Sequence, residues 1–133
     1  MAKTFQFEII TPEKLIFSGA VQNVSATGTQ GAFSVLADHA PFITELKTSI
    51  VTIRDTSNKT IRFALDGGFF EVMANNVIVL TDACVQEGNV DVGMVQAEKA
   101  QAEQTLAGSG SAEEKQKAQN ALNRANTWLS LTN

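Results

Sequence analysis

The residues of this 133-residue chain most able to do chemistry are few and scattered. His39 is the single histidine and Cys84 the single cysteine. A transition-metal site built on imidazole needs several converging ligands, which one histidine cannot supply. A nucleophilic mechanism needs a hydroxyl or thiol beside a base that a third group orients. Asp38 precedes His39, but neighbours in an extended segment project to opposite faces, so that carboxylate does not serve the imidazole. Cys84 lies in an apolar run and reads as a packed thiol, with no partner for an internal disulfide. Gly28, Gly31, Gly67 and Gly68 form no phosphate cradle, because no Gly-Lys-Ser/Thr follows any of them. Glu98, Glu103, Glu113 and Glu114 stand among Lys99, Lys115 and Lys117, which is the pattern of solvated helical surfaces. No catalytic residue, metal ligand or cofactor is assigned, and His39 is expected in a structural or interface role.

That leaves Gly31 to Leu46, GAFSVLADHAPFITEL, as the most informative stretch. It holds the histidine and one of two prolines between two short strand-like runs, and it reads as a shaped loop offered to a partner. The net charge of −4 argues against a nucleic-acid binder or a protein docking on anionic lipid. The first residues lack the basic and long apolar segments of a signal peptide, and no apolar run approaches the roughly 20 residues that span a bilayer. Composition alone therefore points to an acidic, soluble, cytosolic protein of one compact domain with a small appendage.

The elements that must position this loop fall into two halves. Up to about Glu87 the pattern is β. Phe5, Phe7 and Ile9 alternate with Gln6 and Glu8, and Thr11-Pro12 ends the run. Strand-forming runs follow at 15–17, 20–26, 33–36, 42–46, 50–53, 61–65, 69–73, 77–80 and 83–85. Asn75-Asn76 is expected as a tight hairpin turn, and Asp66-Gly67-Gly68 as a turn or a place where something packs on bare backbone. Many short strands with turns between them indicate an antiparallel sandwich or flattened barrel. From about Asp91 the pattern is helical. Residues 94–107 contain neither glycine nor proline, Gly108 to Ser111 break the chain, and Ser111 with Glu114 forms a capping box for a second helix. Ala118, Ala121, Leu122, Ala125 and Leu129 follow the spacing of one helical face. So short a linker makes an antiparallel α-hairpin, and a seam of alanine is expected to dock weakly, as a moving part does. The expected divisions are residues 1–87 and 88–133.

The stretch FEIITPEKLIFSG, then GAFSVLADHAPFITELK, DGGFFEV and VIVLTDA, followed by a pair of alanine-rich helices, resembles the epsilon subunit of bacterial F-type ATP synthases, whose mitochondrial equivalent is named delta. The resemblance runs through essentially the whole chain in order. It implies a sandwich of about ten antiparallel strands in two sheets, bound to the gamma subunit and to the ring of c subunits. The protein would be a non-catalytic part of the rotor, peripheral on the cytoplasmic face of the bacterial inner membrane. It would couple proton or sodium flow to ATP synthesis. The resemblance places Gln30, Gly31, Ala32, Phe33 and Ser34, with His39 and Pro41, towards the ring, and Thr11 and Thr44 near gamma. It makes the hairpin, with Arg124 beside the alanine face, a regulatory element that folds on the sandwich or extends to inhibit hydrolysis through transient contact with the alpha and beta subunits.

The chain departs from the family pattern at several positions. Thr48-Ser49 stand where many relatives have Pro-Gly. Several relatives bind ATP on the hairpin through an Asp-x-x-Arg motif and further arginines. Here the motif reads Val90-Asp91-Val92-Gly93-Met94-Val95, with Met94 in place of arginine, and Trp128 stands where another is often found. A polyanion needs that positive charge, so weak or absent ATP binding is expected. The alternative reading is a stand-alone β-sandwich binding module whose helical hairpin is a dimerisation device.

Overall fold

The computed structural model describes residues 3–132. Nine strands, β1 (Phe5–Ile10), β2 (Leu15–Gly28), β3 (Gly31–Leu36), β4 (Phe42–Leu46), β5 (Ser49–Asp55), β6 (Thr60–Leu65), β7 (Gly68–Met73), β8 (Asn76–Leu80) and β9 (Cys84–Gln86), precede helices α1 (Val92–Ala107) and α2 (Ala112–Ser130). The ladder runs β1-β8-β7-β4-β2-β5-β6-β9, with β3 paired to β2 and β2 returning to β1, so it folds over into the two layers of a sandwich.

Two details differ from the expectation. The runs at 15–17 and 20–26 are one 14-residue strand, so the described residues form nine strands and not ten. Gly19 does not break β2, because it pairs with Phe7 and the Phe17 ring lies 3.5 Å from where its Cβ would be, covering the missing side chain. A register shift between Val21 and Asn23 lets β2 leave β1 and continue between β3 and β5. The second difference is β1–β8, which is parallel in an otherwise antiparallel structure. These strands lie far apart in sequence, so no hairpin dictates their direction.

Alternation along the strands builds the core. Phe7, Ile9, Val24, Ile53, Phe63, Phe70 and Val79 are fully buried, and every member of the main core cluster comes from the sandwich. The helices contribute nothing to it. Both are capped at their N-termini, α2 by the capping box that its sequence predicts. Asp91 accepts from the Met94 N–H at 3.1 Å, Ser111 Oγ accepts from the Glu114 N–H at 3.1 Å, and the Glu114 carboxylate accepts from the Ser111 N–H at 3.3 Å. Ala118 and Ala125 are buried with Val95 and Ala102, while Ala121, Leu122 and Leu129 are half-buried. The two helices pack on each other, and α2 touches β5 and β6.

The β7–β8 turn lies one residue earlier than expected, on Ala74 (φ 47°) and Asn75 (φ 66°), because Asn76 already pairs with Met73 and Gln6. Alanine is a poor occupant of a left-handed position, at a cost of about 1–2 kcal/mol. Ala74→Asn is therefore expected to stabilise the sandwich by about 0.5–1 kcal/mol, seen as a rise of a few degrees in the unfolding midpoint followed by circular dichroism. A midpoint that stays put or falls would show that Ala74 carries no strain.

Candidate docking surfaces

Strand register decides what the sandwich shows to its surroundings. Paired residues project to the same face, so the β1-β8-β7-β4 layer can be read in rows. The inner rows are Ile9-Val79-Phe70-Thr44 and Phe7-Val77-Val72-Phe42. One outer row is Leu15-Ile10-Leu80-Phe69-Glu45, and the next is Ser18-Glu8-Ile78-Glu71-Ile43. This outer face is apolar where a solvated sheet would be polar. Leu15, Phe69 and Leu80 are each about half exposed (52%, 51% and 51%), and Ile43 and Met73 more so (66% and 58%). Glu8, Glu45 and Glu71 are interleaved with them, and no cation lies in these rows. At the Thr11 end the face opens into a groove of about 480 Å³ lined by Ile10, Pro12, Glu45, Phe69, Leu80 and Thr81.

Sequence reasoning missed this face. Its signal was present in Phe69-Phe70 and Val77-Ile78-Val79-Leu80, apolar at positions of both parities. A strand with one solvated side alternates, and a continuous apolar run means that both sides are covered.

The expected partner-binding residues are distributed differently. Gln30, Gly31, Ala32, Ser34, His39 and Pro41 are exposed. Gln30 and His39 lie at opposite ends of β3, whose six residues span roughly 20 Å. They share an edge and not a patch, since β3 pairs with β2 alone. Phe33 is partly buried, its ring edge-on to Phe42 and Phe70 with centroids 5.3 and 4.9 Å away. Thr44 is half-buried on an inner row. Thr11 is buried, and its hydroxyl donates to the Lys14 carbonyl at 3.1 Å and accepts from the Lys14 N–H at 3.3 Å, closing the β1–β2 turn. Its side chain is engaged within its own turn, where Thr11 also lines the groove.

His39 is exposed, with Nδ1 2.7 Å from the Ala40 carbonyl and its ring edge-on to Phe42 at 5.9 Å. A carbonyl only accepts, so Nδ1 carries the proton and Nε2 of the neutral ring is left as an acceptor. Cys84 is inert as a nucleophile, because burial pushes its thiol up to about 12.

The hairpin meets the sandwich partly through charge. Arg124 on α2 lies 3.6 Å from Asp66, in the β6–β7 loop, and 3.7 Å from Glu98 on α1. Thr48 Oγ1 donates to the other Asp66 oxygen at 3.1 Å. A groove of about 610 Å³ between the helices is lined by Met94, Ala97, Glu98, Glu114, Lys117 and Arg124, among others. Half-buried Trp128 lines a smaller cleft beside Ala83, Met94 and Val95. The chain leaves the sandwich at Glu87, whose N–H donates to the Arg62 carbonyl at 2.8 Å and whose carboxylate pairs with the Arg62 guanidinium. That pairing holds Glu87 below its ordinary carboxylate range.

Known proteins share this architecture. Residues 4–87 match the family described as ATP synthase, Delta/Epsilon chain, beta-sandwich domain, and residues 89–133 match its long alpha-helix domain. The ATP synthase epsilon chain of Desulforamulus reducens is 37% identical over 125 residues, covering 94% of each chain. That of Syntrophobacter fumaroxidans is 38% identical over 126 residues, covering 94% of this chain and 92% of its own. Among solved structures, a chain of the Euglena gracilis mitochondrial ATP synthase OSCP/F1/c-ring superposes with a TM-score of 0.83 at 17% identity, over 98% of this chain and 82% of that one. A chain of the Tetrahymena thermophila mitochondrial ATP synthase central stalk/c-ring does so with 0.68 at 15% identity, over 99% and 98%. With both halves matched in order and relatives aligned over nearly their full length, the chain belongs to the ATP synthase delta/epsilon chain family.

Proposed function

We propose that this chain is a non-catalytic rotor subunit of an F-type ATP synthase, joining the gamma subunit to the c ring so that ion-driven rotation is transmitted. The observation that carries this reading is the uncovered apolar outer face of β1-β8-β7-β4. A rotating joint must not slip, and a face of Leu15, Phe69, Leu80 and Ile43 ringed by carboxylates suits a partner surface that is apolar with basic groups around it. That face is assigned to gamma. The β3 edge, with Gln30 at one end and His39 and Pro41 at the other, is assigned to the ring. No described helix is long and apolar enough to cross a membrane. As part of that complex, the chain is assigned a peripheral position on the cytoplasmic face of the bacterial inner membrane.

The hairpin is assigned a regulatory role, inhibiting hydrolysis when it leaves the sandwich and reaches the alpha and beta subunits. Support comes from its alanine contacts and from the absence of any helical residue in the core cluster, so undocking leaves the sandwich intact. ATP does not suit the inter-helix groove. The Arg124 guanidinium already faces two carboxylates, and the groove's other charged lining residues, Glu98, Glu114 and Lys117, carry a net negative charge.

The test uses ATP synthase stripped of this subunit and supplied with either the full chain or residues 1–87. Both are expected to rebind and restore ion pumping, and the full chain to lower ATP hydrolysis several-fold relative to the truncation. Equal hydrolysis removes the inhibitory role, and failure of both to rebind removes the rotor reading. Calorimetric titration of the isolated chain is expected to show no saturable ATP binding up to about 1 mM, corresponding to about −4 kcal/mol.

A further inference from the structure

The loop between β3 and β4 is shaped by a residue from another part of the chain. Asp38 has φ 66°, a left-handed conformation that an aspartate keeps at a cost unless the surroundings hold it. Three of its polar atoms are engaged. Its N–H donates to Asn75 Oδ1 at 2.7 Å, its Oδ1 accepts from Asn75 Nδ2 at 3.1 Å, and its Oδ2 accepts from Lys3 Nζ at 3.0 Å. Lys3 first, and Asn75 after it, hold the carboxyl below its ordinary range. Directly after Asp38 the His39 N–H returns to the Leu36 carbonyl at 3.3 Å, closing the turn.

Asn75 does more than the β7–β8 turn asks of it. At φ 66° the turn needs a residue that tolerates positive φ, and glycine would serve as well as asparagine. Its backbone carbonyl also accepts from the Gln6 N–H at 3.0 Å, at the start of the parallel β1–β8 pairing. One residue therefore joins the turn, β1 and the β3–β4 loop.

We propose that Asn75 is a positioning residue for the 38–41 loop, gripping Asp38 with one donor and one acceptor so that the β7–β8 turn fixes how His39 and Pro41 are presented at the end of the β3 edge. This rests on the reading of that edge as a contact surface for the rotor. Both polar atoms of the Asn75 amide are taken up by Asp38. Asn75 acts by removing the loop's freedom before docking, which is where a preorganised loop gains affinity.

The experiment uses the full chain with Asn75→Gly, Asp38→Gly, Asn75→Asp, Asp38→Asn and the last two combined. Thermal midpoints, amide hydrogen exchange over 36–41 and affinity for ATP synthase stripped of this subunit are measured on each. Asn75→Gly keeps the turn and deletes the grip. It is expected to hold the midpoint within a few degrees, to speed exchange at Asp38 and His39 about tenfold or more, and to weaken binding about tenfold, the scale of one or two exposed hydrogen bonds. Asn75→Asp sets two carboxylates together and should be worse. Adding Asp38→Asn should restore both readouts, because an asparagine at 38 also tolerates positive φ and donates to the new carboxylate from its amide and its N–H. Unchanged exchange in Asn75→Gly and Asp38→Gly overturns the grip. Faster exchange with unchanged affinity overturns the contact reading of this end of β3, and with it the positioning role. A midpoint loss beyond about 10 °C in both glycine variants, or no rescue by the exchange, makes the pair merely structural and overturns the proposal.

Discussion

Gly68→Ala is expected to lower the unfolding midpoint of the sandwich by about 15–30 °C, or to prevent folding at growth temperature. Gly68 has φ 123°, a backbone conformation that side chains rarely adopt. A Cβ built on it would lie 2.0 Å from the Leu80 carbonyl oxygen and 3.0 Å from Thr81 Cα. Both obstacles are backbone, so no rotamer change relieves the clash. The strand end at Leu80 would have to leave β7, although Leu80 is paired with Phe69 and the next N–H, that of Thr81, donates to the Ile10 carbonyl at 3.1 Å. One methyl group thus separates β8 from both neighbours at the edge of the apolar face. Strain and lost pairing together come to about 3–5 kcal/mol, at the far end of what single substitutions do. Gly67→Ala is the control. Its φ of 69° is left-handed, but the nearest atom to its Cβ would be the Leu46 carbonyl at 3.5 Å, an ordinary contact. Only the conformational cost of about 1–2 kcal/mol is expected there. Equal losses for the two variants, measured by thermal and urea unfolding, would show that φ and not the close approach dictates the glycine pair.

This glycine pair also shows how far the sequence could be read. Asp66-Gly67-Gly68 announces bare backbone under close approach, and Leu80 supplies it, because only glycine makes such a site cheap. The sandwich, the hairpin and the Ser111–Glu114 capping box were equally legible, since each is written in local periodicity or local hydrogen bonding. What local reasoning could not reach was pairing between distant segments. The fusion of 15–17 with 20–26 depends on Phe7 lying opposite Gly19. The turn on Ala74-Asn75 is set by β1, through the bond from Gln6 to the Asn75 carbonyl. Candidate contact residues were the least legible. Thr11 and Phe33 look available in one dimension, yet one closes its own turn and the other packs on Phe42 and Phe70. The outer apolar face exists only when five strands from three stretches of sequence are laid in register.

Placing a charge on that face is expected to separate folding from assembly more sharply than any other substitution. Phe69→Asp should weaken binding to ATP synthase stripped of this subunit by about 100-fold or more, while the isolated chain melts within a few degrees of the parent. Phe69 is half exposed and projects away from the core, so the free sandwich loses little when its ring is removed. In the proposed joint with gamma the same position is covered. An aspartate there would be desolvated without a partner, next to Leu80 and directly opposite Glu45. That penalty is about 3 kcal/mol or more, which is the 100-fold. Leu80→Asp should behave alike, because the two residues are paired neighbours on one row. Phe70→Asp, one position along and fully buried, should instead unfold the chain and report nothing about assembly. Glu71→Lys probes the charge on the face. If the partner surface is basic, this reversal slows association and flattens its dependence on salt, while leaving the melting curve in place. Full-strength binding by both Phe69→Asp and Leu80→Asp would remove the outer face from the proposed joint and shift the search to the β3 edge and the hairpin.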